Sequence, residues 1–451
     1  MQGDHTKILI DSIKRLLRRN ALSHLTKIVN KTHAADLSQV FRSLSISDQQ
    51  KLFEMIKETE QKGVLFSELD EDTFLALDKV IELDDMVEIF EQMPTDDVAD
   101  LLGRLPKERS DAIIERMKKE SSEEVEGLLH YGDDTAGGIM VPDFIALRGN
   151  TTAGEAIKSF QKEYLDVEMP FYLYVVDENG KLIGVSSLRQ LVLVPPATPL
   201  KNFMTTDVFA VKTDTDQEEV ARIVARYDIL AVPVVDDTNR LVGIVTVDDI
   251  IDIIREEATE DILKMAGVGG EEFIETQSIF RSTRIRLPWL SASCIGGIVA
   301  FVIIGHYEES LSKFAYLAAF IPVIMGMGGN IGTQTSTIVV RGLATGRLNI
   351  RDLWSVVFKE FAVGSILGMI YGLLVGSVAQ LRYSTFQVAI SVGLAVISSM
   401  SIAALVGSLV PMGFAKINID PAIASGPFVT TAIDIISVAF YFIIATTLLG
   451  I

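Results

Sequence analysis

Five apolar runs, crowded into the last 170 or so of the chain's 451 residues, constrain its fold more than any other feature. They lie near 287–305, 314–340, 354–380, 386–413 and 422–449. Each meets the roughly 20 residues that a helix needs to cross a bilayer. In hydrocarbon every backbone N–H and C=O must be satisfied within the chain, so runs of this length read as helices. Five is odd, so the two ends of this part are expected on opposite sides. Arg281, Arg284 and Arg286 precede the first run, and Arg341, Arg347, Arg351, Lys359 and Lys416 fall on the same side. Only Lys313 and Arg382 fall on the other. That bias predicts a cytoplasmic N-terminus.

The two parts differ in charge as well. From Arg281 onward there are 10 basic and 6 acidic residues, a net of +4. Of the chain's 40 basic and 60 acidic residues this leaves 30 and 54 before that point, a net of −24. A polar, strongly acidic N-terminal part argues against nucleic acid or an anionic membrane surface as its partner. It suits cations, although ordinary solvation explains many of these acids. One cysteine, Cys294, excludes an internal disulfide framework. The five histidines are scattered and show no zinc spacing. The start, MQGDHTKILIDSIKRLL, has no signal-peptide run, so the acidic part is expected to stay in the cytoplasm.

Residues 1–137 read as helices only. Three stretches share one pattern: Asp36-Leu37-x-x-Val40-Phe41-x-x-Leu44, Asp85-Met86-x-x-Ile89-Phe90-x-x-Met93 and Asp97-Val98-x-x-Leu101-Leu102-x-x-Leu105. Each sets an Asp at a helix start and apolar residues at helical spacing behind it. Short repeats of this kind stack into a helical superhelix. From about Gly138 the period changes. FYLYVVDENGKLIGVSSLRQL returns 59 residues later as LAVPVVDDTNRLVGIVTVDDI, with Asp177, Leu182 and Gly184 matched by Asp236, Leu241 and Gly243. This tandem α/β repeat, 138–199 and 200–256, resembles a pair of CBS domains, which usually sense a ligand. An acidic helix and polar connector, 257–283, lead to the apolar part, 284–451. The expected fold is multidomain: an all-α helical superhelix, an α/β tandem CBS pair and a five-helix α transmembrane bundle.

Asp434 is the only charge in the last apolar run. An ionised side chain at bilayer depth costs at least about 2.5–3.5 kcal/mol, so it requires water or a partner, and a cation or proton site is the natural reading. The structural alternative is a neutral Asp bonded to a neighbouring helix. Thr430, Asp434, Ser437 and Tyr441 fall on one stripe. Ser425, Gly426 and Pro427 at its start can bend the helix and free carbonyls. Hydroxyls, carbonyls and a carboxylate are hard ligands suited to Mg²⁺ or Ca²⁺, with Mg²⁺ keeping much of its water. In the second run Gly328, Gly332 and Ser336 form a small-residue ridge for close helix packing. Asn330 and Gln334 share a face and serve either as interhelical glue or as lining of a polar path. Glu360 beside Lys359 reads as a local ion pair. No P-loop and no nucleophile–base set is present, so an enzyme is not expected.

The runs PVIMGMGGNIGTQ and DPAIASGPFVTTAID, with the order helical domain, CBS pair, acidic helix and five spans, resemble the MgtE family of magnesium channels across nearly the whole chain. The resemblance implies a homodimer in the plasma (inner) membrane with its pore on the dimer axis. Asp434 would hold a hydrated Mg²⁺ in a segment that includes Thr430, Gly426 and Pro427, with Asn330 and Gln334 as further pore candidates. It also implies regulatory Mg²⁺ at acidic clusters. The matching residues are Asp249, Asp252, Glu257, Glu260 and Asp261 on the connecting helix, which would act as a plug, and Asp96, Asp97 and Asp100 in the helical domain. A solvated helix face is the alternative for each acid. ATP is the other expected ligand. The second repeat carries Thr246-x-x-Asp249, the pattern that holds a ribose, whereas the first has Ser187 and Gln190. Nucleotide binding is therefore open at the first repeat, and Asp249 is open to metal and nucleotide alike. Two rivals remain: a transporter of another divalent cation or a proton-coupled exchanger, and a membrane-anchored CBS sensor of metal or nucleotide.

Overall fold

The computed structural model describes residues 2–162, 169–268, 279–424 and 426–450. The chain divides into two compact units, Met1–Ile254 and Arg255–Ile451. The first opens with ten short helices, from Gln2–Arg18 to Lys119–Leu128. Acids stand in the first turn of many: Asp36 in Ala34–Arg42, Asp85 in Leu83–Phe90 and Asp97 in Thr95–Arg104. There they oppose the positive end of the helix dipole. Pro94 and Pro106 end one helix and introduce the next. Of the apolar positions of the three repeated stretches, Leu37, Val40, Phe41, Met86, Ile89, Phe90, Val98, Leu101, Leu102 and Leu105 are buried, and Leu44 and Met93 are half-buried. This is the stacking that the spacing predicts.

The α/β repeat forms two three-stranded sheets. In the first, β1 (Ala146–Arg148) lies parallel to β2 (Tyr172–Val176), which pairs antiparallel with β3 (Leu182–Ser187). The second repeats this with β4 (Val211–Lys212), β5 (Ala231–Val235) and β6 (Leu241–Thr246). The repeats exchange their opening segments. A Cβ on Gly243 would stand 2.6 Å from the Met140 sulfur, and one on Gly184 only 2.5 Å from the Met204 sulfur. Val141 bridges Ile244, and Val185 bridges Thr205. Each matched glycine thus makes room for the methionine that opens the other repeat. The helical domain and the second repeat share one core, in which Val98 and Leu102 join Val232, Val245 and Ile250. The first repeat has its own core around Leu173, Val175 and Leu191. The helix Val247–Met265 carries both the end of the second repeat and the acidic stretch.

Among the described residues of the second unit, five helices are long and apolar enough to cross a membrane. They belong to Ile279–His306, Ala315–Ala344, Ile350–Tyr383, Phe386–Lys416 and Pro427–Leu449, here called the first to fifth spans. The fourth span is central, packing on the second, third and fifth through the core of Val392, Val396, Met400 and Ala403. Third-span glycines permit this: a Cβ on Gly372 would lie 2.6 Å from the Gly393 carbonyl. In the second span Gly328, Gly332 and Ser336 are buried, and a Cβ on Gly332 would collide with Ile433. Their ridge is a packing surface. The fifth helix starts at Pro427, later than hydropathy alone suggests, because Pro421–Ala424 is a 3₁₀ turn and proline suits the first helical position. Ser425 and most of the polar connector lie outside the described residues.

Candidate cation site and its acidic surroundings

A cavity of about 460 Å³ opens within the second unit, lined by Ser293, Gly296 and Ala300 of the first span, Met325 and Thr333 of the second, Pro427, Thr430 and Asp434 of the fifth, and Gly426 just before it. Asp434 is half-buried, and among the described residues none pairs with its carboxylate. Gly329 lets the second span approach it, since a Cβ there would lie 3.9 Å from Asp434 Oδ1 and 3.6 Å from Thr430 Cγ2. The Thr430 backbone N–H and hydroxyl both donate to the Gly426 carbonyl, at 3.3 Å each. The Gly426 carbonyl, expected to be freed as a ligand, is instead taken up in the first turn of the helix.

The stripe expected along the fifth span divides. Thr430 and Asp434 face the cavity. Ser437 is buried and shares a 2.7 Å hydrogen bond with Ser399, while Tyr441 donates to the Leu317 carbonyl at 2.8 Å. Its second half is interhelical glue. Asn330 and Gln334 are both exposed on the single chain and do not line the cavity, and their neighbour Thr333 does. Lys359 Nζ lies 3.6 Å from the buried Glu360 carboxylate, the local pair that adjacency predicts. The first-span contributors carry no signal in sequence, because small residues read alike whether they face lipid or a cavity.

The C-terminal end of the connecting helix closes one side of the cavity, where Met265 and Ala266 join the lining. Gly267 turns the chain at φ +70°, and a Cβ on it would stand 2.5 Å from Pro427 Cγ. A Cβ on Gly426 would lie 2.9 Å from the Met265 carbonyl. Glycine on both sides is what allows this approach. Lys264 Nζ sits 2.6 Å from Glu260 Oε1 and 2.7 Å from Asp420 Oδ2. Burial lowers the Lys264 pKa, but the two carboxylates outweigh it and hold the ammonium above its usual range. Asp261 is pushed up by burial and by the nearby Asp420, against the pull of Lys264 and Arg341. Glu257 lies half-buried on the same helix.

In the first unit a second group of acids gathers. Asp97 and Asp100 of the helical domain face Asp248 and Asp249 of the second repeat closely enough to interact electrostatically, with Asp133 adding to the field on Asp100. Crowding by the surrounding chain, with these charges behind it, pushes both Asp100 and Asp249 up to about 6; burial supports the shift more firmly at Asp249, which is half-buried, than at Asp100, which is exposed to solvent. Arg104 offsets part of this at Asp97 and Asp100. Ser67 donates to Asp97 at 2.8 Å, and Thr246, fully buried, donates to Asp249 at 2.6 Å. Asp96 is buried and Asp252 exposed. Asp133 and Asp248 escaped the sequence reading, because a solvated acid and a confronted one look alike there. Among the described residues no three His, Cys, Asp or Glu side chains gather tightly enough to hold a bare metal ion. A hydrated ion, bound through its water, requires no such cluster. A further cavity, about 520 Å³, lies beside the first repeat and is lined by Phe171, Tyr172, Ser187, Leu188, Arg189, Val192, Leu193 and Leu230. There Ser187 and Gln190 are engaged in a capping box.

Comparison with known proteins agrees with this architecture. The divalent cation transporter model of MgtE matches residues 321–444, the MgtE intracellular N domain 32–134, and the CBS domain 136–196 and 200–256. The magnesium transporter MgtE of Thermus thermophilus is 40% identical over 328 residues, 72% of each chain. The chain belongs to the MgtE family. The Enterococcus faecalis magnesium transporter MgtE is 38% identical over 323 residues, 72% of this chain and 71% of its own. The crystal structure of the cytosolic domain of the Mg²⁺ channel MgtE in complex with ATP aligns at a TM-score of 0.51 and 34% identity, covering 54% of this chain and 99% of that one. The MgtE resemblance drawn from the two membrane motifs therefore holds, and so does the fold of helical domain, CBS pair and apolar helices. Both motifs, ending at Gln334 and Asp434, fall inside the segment matched by the transporter model.

Proposed function

We propose that the chain forms a homodimeric, Mg²⁺-selective channel of the plasma (inner) membrane, with its N-terminus in the cytoplasm. Mg²⁺ enters down the membrane potential, worth about 2 × 2.3 kcal/mol per 100 mV for a divalent ion. The carrying observation is Asp434: one carboxylate, without a protein partner among the described residues, facing a cavity with Thr430 and Thr333 in the membrane part of an MgtE-family chain. A hydrated ion at that carboxylate supplies the missing counter-charge. Asn330 and Gln334 support a dimer, since amides exposed at bilayer depth require water or a second protein surface. Cytoplasmic Mg²⁺ would close the channel by relieving repulsion among Asp97, Asp100, Asp248 and Asp249 and at the connecting-helix acids Glu257 and Asp261. This is a population shift driven by different affinities for two states. For ATP, which the related cytosolic domain binds, the first-repeat cavity is the proposed place, since Phe171 and Tyr172 offer stacking faces and Arg189 a phosphate partner there, while Thr246 and Asp249 do not line it and bond to each other.

The test is Mg²⁺ uptake into voltage-clamped proteoliposomes by the native chain and by Asp434→Asn. Voltage-driven uptake that falls at least tenfold in the variant, and that cytoplasmic Mg²⁺ shuts, is the expected result. Uptake that follows a pH gradient and ignores voltage would favour proton coupling. No uptake by the native chain would favour a sensor.

A further inference from the structure

Asp420 stands immediately before the turn that starts the fifth span, and each of its oxygens has a task. Oδ1 accepts the Ala422 backbone N–H at 2.7 Å and fixes the Pro421–Ala424 turn. Oδ2 takes the Lys264 ammonium at 2.7 Å. One turn back along the connecting helix, Glu260 takes the same ammonium at 2.6 Å. Three residues beyond Lys264 the chain reverses at Gly267, against Pro427. Met265 and Ala266, the two residues between, line the Asp434 cavity. Sequence gives no hint of this junction, since Lys264 and Asp420 are 156 positions apart.

We infer that Lys264 is a pin that holds the end of the connecting helix against the mouth of the Asp434 cavity, standing between Glu260 and Asp420 where two facing carboxylates would otherwise repel. The inference rests on the reading of that cavity as the cation pathway. The glycines at 267 and 426 let the two backbones meet, but they supply no attraction. Lys264 supplies it through a point charge shared by two carboxylates, with side chains only about one-quarter to one-third exposed. Removing one partner of a partly desolvated set leaves the others unpaired, and that loss exceeds that of an exposed pair. The closed arrangement in this chain is thus held in part by the protein's own cation, and Mg²⁺ has less left to do. Lys264 acts as a positioning residue for closure and takes no part in conduction.

The experiment measures, for the full chain in voltage-clamped proteoliposomes, the cytoplasmic Mg²⁺ concentration that halves the flux. Lys264→Gln should raise it three- to tenfold, and Lys264→Arg should restore most of the native value. Asp420→Asn keeps an acceptor for Ala422, and should shift the midpoint the same way with little added effect on top of Lys264→Gln. If Lys264→Gln does not fold, Asp420→Asn carries the test alone. A midpoint unmoved or lowered in these variants, with native flux and closure intact, overturns the pin and leaves the channel reading standing. A native chain without voltage-driven Mg²⁺ flux overturns both.

Discussion

At the scale of single residues, small side chains decide how near the second span comes to the fifth. Gly332 has no spare room, because a Cβ there would collide with Ile433 inside the bundle core. Gly329, three positions earlier, faces Thr430 and Asp434 at ordinary van der Waals distance. The two positions should therefore fail differently. Gly332→Ala overpacks the core and should cost about 1–3 kcal/mol, read as a lower thermal midpoint in detergent. Gly329→Ala should leave that midpoint within experimental scatter and change Mg²⁺ flux severalfold, because the added methyl stands beside the carboxylate. A flux unchanged by Gly329→Ala would place the ion path elsewhere. Asp434 itself was legible in the sequence for a simple reason: one charge in an apolar run has few innocent explanations. Thr333 was not, although its neighbours Asn330 and Gln334 were singled out. Amides stand out chemically, but which side of a helix meets a cavity depends on the packing of three other helices.

At the scale of elements, the most informative device is the exchange between the two repeats. Gly243 accepts Met140 and Gly184 accepts Met204, and the bridges Val141 to Ile244 and Val185 to Thr205 tie the same segments. The sequence shows the two glycines at matched positions 59 residues apart and a methionine opening each repeat, so the repeat was legible. Their exchange was not, because pairing each methionine within its own repeat fits the same spacing. The exchange makes the two repeats one cooperative piece. Gly243→Ala should push Met140 aside and destabilise the first unit by about 1–3 kcal/mol. Met140→Ala placed on top should recover part of that loss, since the clash is with this side chain. Equal and additive losses from the two changes, measured by denaturant unfolding, would deny the contact. The connecting helix teaches the same limit. Its acids were legible as a cluster, yet Glu260 is bound to Lys264, Asp261 sits near Asp420, and Asp249 belongs to the first unit's acid group. Glu260 and Lys264 are helix neighbours, whereas the partners Asp420 and Asp97 are distant in sequence and are set by the fold.

At the scale of the whole molecule, the charge asymmetry becomes a linkage between protons and Mg²⁺. Asp100 and Asp249 are held at about 6 in the folded chain, against an ordinary aspartate value of 3.8. Unfolding lets both fall back, so between about pH 4 and pH 6 the folded state binds more protons than the unfolded one. Stability contributed by these groups is then present at low pH and is lost as the pH rises through 6. At pH 7 both are ionised and confront Asp97 and Asp248. A proton and a divalent cation thus relieve the same repulsion, and they compete. If Mg²⁺ binds the ionised pair, displacing two protons held near 6 should raise about tenfold, from pH 7 to pH 5.5, the Mg²⁺ that gives half of the protection it adds beyond the Mg²⁺-free level at each pH. The full-length protein in detergent provides the measurement, as protection of its cytoplasmic part from limited proteolysis across a Mg²⁺ titration at each pH. Lower pH alone should also protect in the absence of Mg²⁺, because it removes the same charges. Replacing Asp100 and Asp249 by Asn should flatten both effects together. A Mg²⁺ requirement that ignores pH over this range would mean that the ion acts at acids other than these two. The closing device would then lie with Glu257 and Asp261, beside the junction that Lys264 already holds.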